Sequence, residues 1–205
     1  MEAEPKTPRT APPRTARGRA SMRRLLDAAA IEFGEHGFAE TSIVGITRRA
    51  GMALGSFYTY FPTKEAIFTE LVKDMSQAVA RAAGGAVPEG ATGTAREAAA
   101  LTGFLAFVRE HKEIYRIIDE AEFADPASYR AHYEGTAKRI AARIEENAAN
   151  GSMRPLDGEV LAWAIMGMNV FLGLRFGVWG QDRDIAEVAA LAEDLLARGT
   201  APDGS

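Results

Sequence analysis

The sequence predicts an all-α protein of about nine helices. Apolar residues recur at three- and four-residue steps, as in Leu25, Leu26, Ala29, Ala30 and Phe33, which is the spacing of one helix face. No stretch shows sustained alternation of apolar and polar residues with β-branched enrichment, so no sheet is expected. We expect a three-helix N-terminal domain containing a helix-turn-helix, followed by a larger helical domain.

The composition excludes several classes of protein. The chain has 205 residues, of which 47% are hydrophobic and 25% charged, as in soluble globular proteins. It contains no cysteine, which excludes a disulfide scaffold, a thiolate metal site and a cysteine nucleophile. With no apolar stretch after the N-terminal charges, no signal peptide is evident, and we expect a cytoplasmic protein.

Basic residues concentrate near the N-terminus. Residues 1–24 hold seven basic and two acidic side chains; since the whole chain carries −4 and this segment +5, the remainder carries −9. Residues 41–64 contain no Asp or Glu but include Arg48, Arg49 and Lys64. A basic end on an acidic body is typical of a separate DNA-binding module.

Capping and breaking residues divide the chain into elements. Residues 1–16, with four of the nine prolines, are expected to form a disordered basic arm. A first helix begins near Arg17 and ends at Gly37. The later helices are expected from Ser42 to Gly51, Leu54–Phe61, Lys64 to about Ala83, Thr94–Lys112, Ile114–Glu122, Pro126–Asn150, Gly158–Trp179 and Ile185–Arg198.

One segment, Val160–Trp179, resembles a membrane span in length and composition. Asn169 and Arg175 interrupt its apolar run, and a central Arg costs roughly 2.5–3.5 kcal/mol on the insertion scale. We therefore predict a buried helix of a soluble protein.

The short third helix has the chemistry of a DNA-recognition helix. Its N-terminal end carries Leu54, Gly55 and Ser56, which offer an apolar contact, a close backbone approach and a hydrogen-bonding hydroxyl. Phe57 and Phe61, four residues apart, are expected to anchor it inward. Further candidate contacts follow at Tyr58, Thr59, Tyr60 and, at the start of the next helix, Lys64.

The run from Leu54 to Glu65, LGSFYTYFPTKE, resembles the signature of TetR/AcrR-type repressors. Upstream residues agree with the same family: Ala28-Ala29, Phe33, Gly37-Phe38, Thr41-Ser42, Ile46 and Ala50-Gly51. The resemblance covers about residues 21–70 and spans three helices and two turns. Beyond residue 70 only the helical plan and the length agree.

The resemblance implies roles for individual residues. Residues 54–56 would face bases, Tyr58, Thr59 and Tyr60 would hold phosphates or thymine methyls, and Lys64 and Ser42 would bind phosphates. Two positions depart from the family pattern: Tyr60 replaces a His found in some relatives, and Thr47, often Ala, adds a possible phosphate donor. Arg17 and Arg19 are further DNA candidates, with a solubilising tail as the alternative for the arginine-rich segment.

Aromatic and methionine side chains in the larger domain are numerous enough to line an apolar pocket, which members of the family usually have. For each residue alone, a place in the core is the simpler interpretation. The candidate ligand-binding residues are Phe104, Phe107, Tyr115, Phe123, Tyr129, Tyr133, Trp163, Met166 and Asn169.

The last two helices carry broad apolar stripes that suggest a homodimer interface built as a four-helix bundle. The alternative is packing within one subunit. The candidate dimerisation residues are Gly167, Phe171, Leu174, Gly177, Val188, Leu191 and Leu195. A two-fold dimer would present two recognition helices to a palindromic operator.

No cofactor and no metal are expected. The acidic residues Asp119, Glu120, Glu122 and Asp125, with His132, lack zinc- or calcium-ligand spacing and are interpreted as a solvated helix end. No Gly-rich phosphate loop or Ser/His/acid triad indicates an enzyme.

The sequence therefore predicts a ligand-responsive regulator whose partners are double-stranded operator DNA, a small apolar or aromatic effector and a second copy of itself. Residues 17–66 would bind DNA, residues 67–199 would bind ligand and dimerise, and residues 200–205 would form a disordered tail. The alternative is a helical small-molecule-binding protein without DNA activity.

Overall fold

The computed structural model describes residue 13 and residues 15–200, and in this part of the chain it contains nine α-helices and no strand. The predicted all-α fold is confirmed. The expected arm and tail fall almost wholly outside the described residues. The helices are α1 (Ala16–Glu40), α2 (Ile43–Arg49), α3 (Leu54–Phe57), α4 (Lys64–Gly85), α5 (Gly93–Glu110), α6 (Glu113–Ala124), α7 (Pro126–Ala149), α8 (Gly158–Gly173) and α9 (Ile185–Thr200).

The helices group into two compact units. Among the described residues, the first unit comprises those up to Met75 together with Glu113–Arg130, and the second comprises Ser76–Lys112 together with those from Ala131 onward. Helix α4 contributes its first half to one unit and its second half to the other. Helix α6 is grouped with α1–α3, although it follows them by more than fifty residues.

In the first unit, α6 holds the end of α1. Gly37 interrupts α1 with φ of +80°, which confirms the predicted stop at this glycine. The guanidinium of Arg116 donates to the carbonyl oxygens of Gly34 (3.2 Å) and Glu35 (2.9 Å), and the Glu120 carboxylate accepts from the N–H of Phe38. Polar groups freed by the bend are thus satisfied by α6.

The second unit has two apolar clusters. One joins α7 and α8 around Ile140, Ile144 and Ile165, and the other joins α5 and α9 around Leu105 and Val188. Between α5 and α7, the buried carboxylate of Glu97 receives two bonds from Arg143, at 2.7 and 2.6 Å. This bidentate geometry compensates the desolvation of both charges.

Helix α8 is less buried than the sequence predicts. Gly158–Trp179 is long and apolar enough to cross a membrane by length and composition alone, and 28% of this window is buried. The last six residues of this window, Leu174–Trp179, follow α8 as a π-helical segment. The expectation of a buried helix is wrong for one face, where Phe171 and Trp179 are 71% and 72% exposed.

Gly37 gives a first prediction. A Cβ there would lie 2.5 Å from Glu120 Oε1 and 2.7 Å from Arg116 Nη2, at a φ that L-residues rarely adopt. We expect Gly37→Ala to lower the free energy of unfolding by about 1–3 kcal/mol in urea denaturation. The control is Gly84→Ala, where a Cβ meets nothing within 4 Å. Equal stability of the two variants would contradict the account of the bend.

His132 gives a second prediction, for the pH dependence of stability. Its Nδ1 lies 2.7 Å from Ser76 Oγ, and desolvation, together with repulsion from Arg139, lowers the His132 pKa from 6.5 to about 4. In the unfolded chain His132 is protonated below about pH 6.5, whereas in the folded chain it is protonated only below about pH 4. Stability is lost as the pH falls through this window.

We expect this histidine to cost about 2 kcal/mol of unfolding free energy at pH 5 relative to pH 7. Urea titrations at the two pH values measure the loss. His132→Gln should remove this share of the pH dependence, and an unchanged dependence in the variant would count against it.

Candidate nucleic-acid interface

Helix α2 is capped and anchored as its sequence predicts. Ser42 is the N-cap residue, and its hydroxyl accepts from the N–H of Gly45 at 3.0 Å. Ile46 and Ala50 are buried. After α2, Gly51 takes φ of +61° and the N–H of Met52 donates to the carbonyl of Thr47, which makes the turn toward α3.

Helix α3 is anchored by aromatic side chains and leaves one face exposed. Phe57 and Phe61 are fully buried, as predicted, with ring centroids 5.8 Å apart. The regular helix covers only Leu54–Phe57, shorter than the predicted Leu54–Phe61. Hydrogen-bonded turns continue the backbone from Tyr58 to Phe61. A regular helix cannot extend through Phe61, because Pro62 disfavours helical geometry at the residue before it.

The exposed face of α3 carries the predicted base-contacting residues. Leu54 and Tyr58 are 45% and 55% exposed, Gly55 and Thr59 are exposed, and a Cβ at residue 55 would meet nothing within 4 Å. The remaining candidates, Ser56 and Tyr60, are half-buried. This surface has the groups that a major-groove contact needs: an apolar side chain for a thymine methyl, hydroxyls for hydrogen bonds and, at Gly55, a backbone without a side chain.

Two arginines hold α2 against α1. Arg49 donates to the buried carboxylate of Glu32 and to Glu35, both at 2.6 Å. From α1, the guanidinium of Arg24 donates to the carbonyl oxygens of Ala50 (2.5 Å) and Gly51 (3.2 Å), at the turn that follows α2. These bonds determine where α3 begins relative to α1.

Two predicted DNA contacts have other partners in the structure. The ammonium of Lys64 donates to the carbonyl oxygens of Phe38 (2.7 Å), Ala39 (3.2 Å) and Thr41 (3.0 Å) and lies 4.5 Å from the Phe38 ring centroid. All three of its hydrogens are thus used within the first unit.

Thr47 is buried, and its hydroxyl bonds to the carbonyls of Ile43 and Val44 within α2. The sequence could not reveal these acceptors, because they belong to the backbone. While these bonds are made, neither side chain has a hydrogen free for a phosphate.

Two exposed residues of α2 are missing from the predicted set. Val44 is 58% exposed, and Arg48 is exposed one turn further on the same face, where its side chain forms no ion pair or hydrogen bond with any described residue. Their four-residue spacing was the available signal. Of the predicted arginines, Arg17 and Arg19 lie exposed in the first turn of α1, which Thr15 caps.

The predicted ligand-binding residues are divided between the units. Tyr115, Phe123 and Tyr129 belong to the first unit, where Phe123 is 85% exposed and lines no core. The others belong to the second unit: Phe104, Phe107, Tyr133, Met166 and Asn169 are buried or half-buried, whereas Trp163 is exposed.

The predicted dimerisation residues also separate into two groups. Phe171, Leu191 and Leu195 are exposed, and Gly167 and Leu174 are half-buried. Val188 instead lies in the core between α5 and α9, and a Cβ on Gly177 would lie 2.5 Å from a Val108 methyl. Both of these residues pack within the protomer, since periodicity identifies an apolar face without naming what covers it.

The acidic residues near α6 act as hydrogen-bond acceptors. Asp125 accepts from the Thr69 hydroxyl at 2.6 Å and from the N–H of Ser128, and Glu120 accepts from Phe38. In the described part of the chain no group of three or more His or acidic residues has an arrangement that could hold a metal ion.

Comparison with known proteins identifies this helix-turn-helix. Residues 25–71 match the model of the bacterial regulatory proteins of the tetR family. The chain is also 31% identical over 195 residues to YdgC, an HTH-type transcriptional regulator of Bacillus subtilis (strain 168), covering 93% of this chain and 97% of that protein. The protein belongs to the TetR family. It is therefore a DNA-binding transcriptional regulator, which confirms the predicted family and the helix-turn-helix.

Solved structures of TetR-type regulators share the fold. A TetR-like regulator from Rhodococcus sp. RHA1 superposes with a TM-score of 0.70 at 24% identity, covering 87% of this chain and 94% of its own. FadR from Bacillus subtilis, solved with stearoyl-CoA, superposes with a TM-score of 0.75 at 20% identity, covering 86% and 98%. At these identities the likeness shows the fold alone.

The adjacent arginines of α2 give a third prediction. We expect Arg48→Ala to reduce the slope of log K against log salt for a mixed-sequence duplex by about one, because one phosphate contact is lost. Arg49→Ala should lower the melting temperature, because the buried Glu32 carboxylate loses its partner, and should leave the salt slope unchanged when measured well below the melting temperature. A reversed pattern would show that the two arginines have been assigned the wrong roles.

Lys64→Met gives a fourth prediction, because it separates a structural role from phosphate binding. Loss of the bonds at the end of α1 should lower the free energy of unfolding by about 1–3 kcal/mol, with no change in the salt slope of DNA binding. If the variant keeps its stability and the salt slope falls by about one, Lys64 contacts a phosphate, as the sequence predicts.

Proposed function

We propose that this TetR-family protein is a repressor that binds a palindromic operator as a homodimer and is released by a small apolar or aromatic effector. The single observation that carries the proposal is the division of exposed groups between the two units. The first unit exposes hydroxyls, a bare glycine and an unpaired arginine on α2 and α3, and the second exposes large apolar side chains on α8 and α9.

The apolar surface of the second unit supports self-association. Val160, Trp163, Gly167 and Phe171 recur at helical spacing on one face of α8, and Leu191 and Leu195 follow on α9. Isolated exposed apolar residues are ordinary, but a stripe of this length on the last two helices is what a self-association interface requires. A two-fold interface places the same patch of both chains face to face, as a palindromic operator requires.

The interior of the second unit supports effector binding. It contains aromatic and methionine side chains, including Phe104, Tyr133 and Met166, together with the amide of Asn169. FadR of Bacillus subtilis was solved with stearoyl-CoA, which is consistent with an effector site in this fold. We retain the proposed assignment of residues 17–66 to DNA binding and residues 67–199 to ligand binding and dimerisation.

Helix α4 belongs to both units and is the element through which effector binding would act on the recognition helices. It runs without interruption from Lys64 to Gly85, with its first half in the first unit and its second half in the second. An effector that favours a different position of this helix would change the separation of the two recognition helices in a dimer. Repression would then be relieved because only one spacing fits the operator.

Gly167 gives a fifth prediction, which tests the dimer. A Cβ there meets nothing within 4 Å in the protomer, so Gly167→Leu should fold normally, yet it would place a bulky side chain in the middle of the proposed interface. We expect sedimentation to show at least tenfold weaker dimerisation, with weaker operator binding. Gly84→Leu, also in open space, is the control. A fully dimeric Gly167→Leu would exclude this face.

The experiment for the whole proposal begins with selection of bound duplexes from a random pool. We expect an inverted repeat, bound by two chains, and release on addition of a subset of small apolar compounds. Enrichment of a single half-site, or binding by one chain, would refute the dimeric operator complex. A protein that binds such compounds but retains no duplex at low salt would instead be a small-molecule-binding protein.

A further inference from the structure

Helix α8 contains a buried polar atom without a partner. The side-chain oxygen of Asn169 has no hydrogen bond to any described residue. Asn169 follows Ala162, Ile165 and Met166 at helical spacing, on the inward face of α8. An unsatisfied buried acceptor costs on the order of 1–3 kcal/mol, so a protein retains one where something else satisfies it.

The neighbours of Asn169 are apolar on both sides. Ile165 and Met166, one turn before it, belong to the cluster shared with α7, against which Tyr133 packs. Met168 and Leu172 pack against the other cluster, shared by α5 and α9, together with Phe104. The amide therefore lies where α8 passes between two apolar clusters, a setting that favours an apolar ligand carrying one polar group.

In the described part of the chain, Asn147 contains the other buried side-chain atom without a partner, Nδ2, but Asn147 differs from Asn169 in one respect. Its side-chain oxygen accepts from the N–H of Gly93 at 3.0 Å, so this amide already joins α7 to the start of α5. The amide of Asn169 has no such structural bond, which makes it the better candidate for a ligand.

The charges of the second unit argue against an anionic ligand. Every arginine of this unit that is withdrawn from solvent already has a carboxylate or carbonyl partner: Arg96, Arg109, Arg143, Arg154 and Arg183. The guanidinium of Arg139 is on the exposed side of α7 and donates to the Thr136 hydroxyl at 2.9 Å. A carboxylate or phosphate bound in the interior would have no buried cation to compensate it.

His132 of this unit is neutral as well. His132 is hydrogen-bonded to Ser76, its ring contacts that of Tyr133 at 5.0 Å, and its lowered pKa keeps the imidazole uncharged near pH 7. The interior thus offers hydrogen-bonding groups without net charge.

We propose that the effector is a neutral, largely apolar molecule whose hydroxyl or N–H group bonds to the side-chain amide of Asn169. This inference rests on the proposed function, because it assumes that the second unit binds an effector, and it names the chemical class. A long-chain carboxylate should bind at this site less tightly than the matching alcohol, because no buried cation would compensate its charge.

Nine probes test the proposal: naphthyl, biphenyl and dodecyl scaffolds, each as the hydrocarbon, the primary alcohol and the carboxylate. Their affinities for the full-length protein are measured by calorimetry at pH 7.5. On each scaffold that binds, the alcohol should bind about tenfold more tightly than the hydrocarbon and more tightly than the carboxylate. A preference for carboxylates, or binding of none of the nine, overturns the proposal.

Variants of α8 assign the preference to one residue. Asn169→Leu should abolish the difference between alcohol and hydrocarbon and should raise the melting temperature of the unliganded protein by a few degrees, because a buried unpaired amide is removed. Leu161→Met, on the same helix, should retain the alcohol preference. If Asn169→Leu keeps the preference or lowers the melting temperature, the amide has another role and the proposal fails.

Operator binding measured with the same probes separates this inference from the proposed function. If alcohols bind through Asn169 without releasing DNA, ligand-gated repression fails while the assignment of the ligand class stands. If carboxylates bind and release DNA, the proposed function stands and the neutral-ligand assignment fails.

Discussion

The buried carboxylate of Glu32 is the constraint on which the DNA-binding surface depends. It is almost fully enclosed, and its charge is balanced by Arg49 of α2 at 2.6 Å. A Cβ on Gly45 would lie 2.9 Å from this carboxylate, so α2 approaches α1 closely at its own first turn. Breaking a buried ion pair costs far more free energy than its formation gains. Helix α2 therefore has essentially one position on α1. The exposed face of α3 follows from that position.

Much of the first unit could be predicted from its sequence. Capping serines, helix-stopping glycines and paired phenylalanines have local causes, and the structure confirms Ser42, Gly37 and the Phe57–Phe61 anchor. For Lys64 and Thr47 the structure shows partners that the sequence did not predict, and in both cases they are backbone carbonyls. A sequence shows which side chains can bond, and carbonyls near them become visible only in the fold.

The second unit was harder to predict, because helical periodicity identifies an apolar face but not the element or chain that packs against it. Val188 and Trp163 occur in similar stripes, yet the first is in the core and the second is exposed. Asn169 was singled out by its polarity within an apolar run, but its lack of a hydrogen-bond partner could come only from the structure. Helix α8 thus carries two surfaces, an exposed apolar face that supports a second copy and an inward face with an unpaired amide.

Amide hydrogen exchange of the unsubstituted protein, with and without its selected duplex, tests the central claim that α3 lies in the groove. We expect the amides of residues 54–60 to exchange quickly in the free protein, because α3 is one turn long and largely exposed. We expect exchange in residues 54–60 to slow markedly on DNA binding, with a smaller effect at the exposed face of α2. Protection confined to other segments, with residues 54–60 unchanged in a bound complex, would contradict the account.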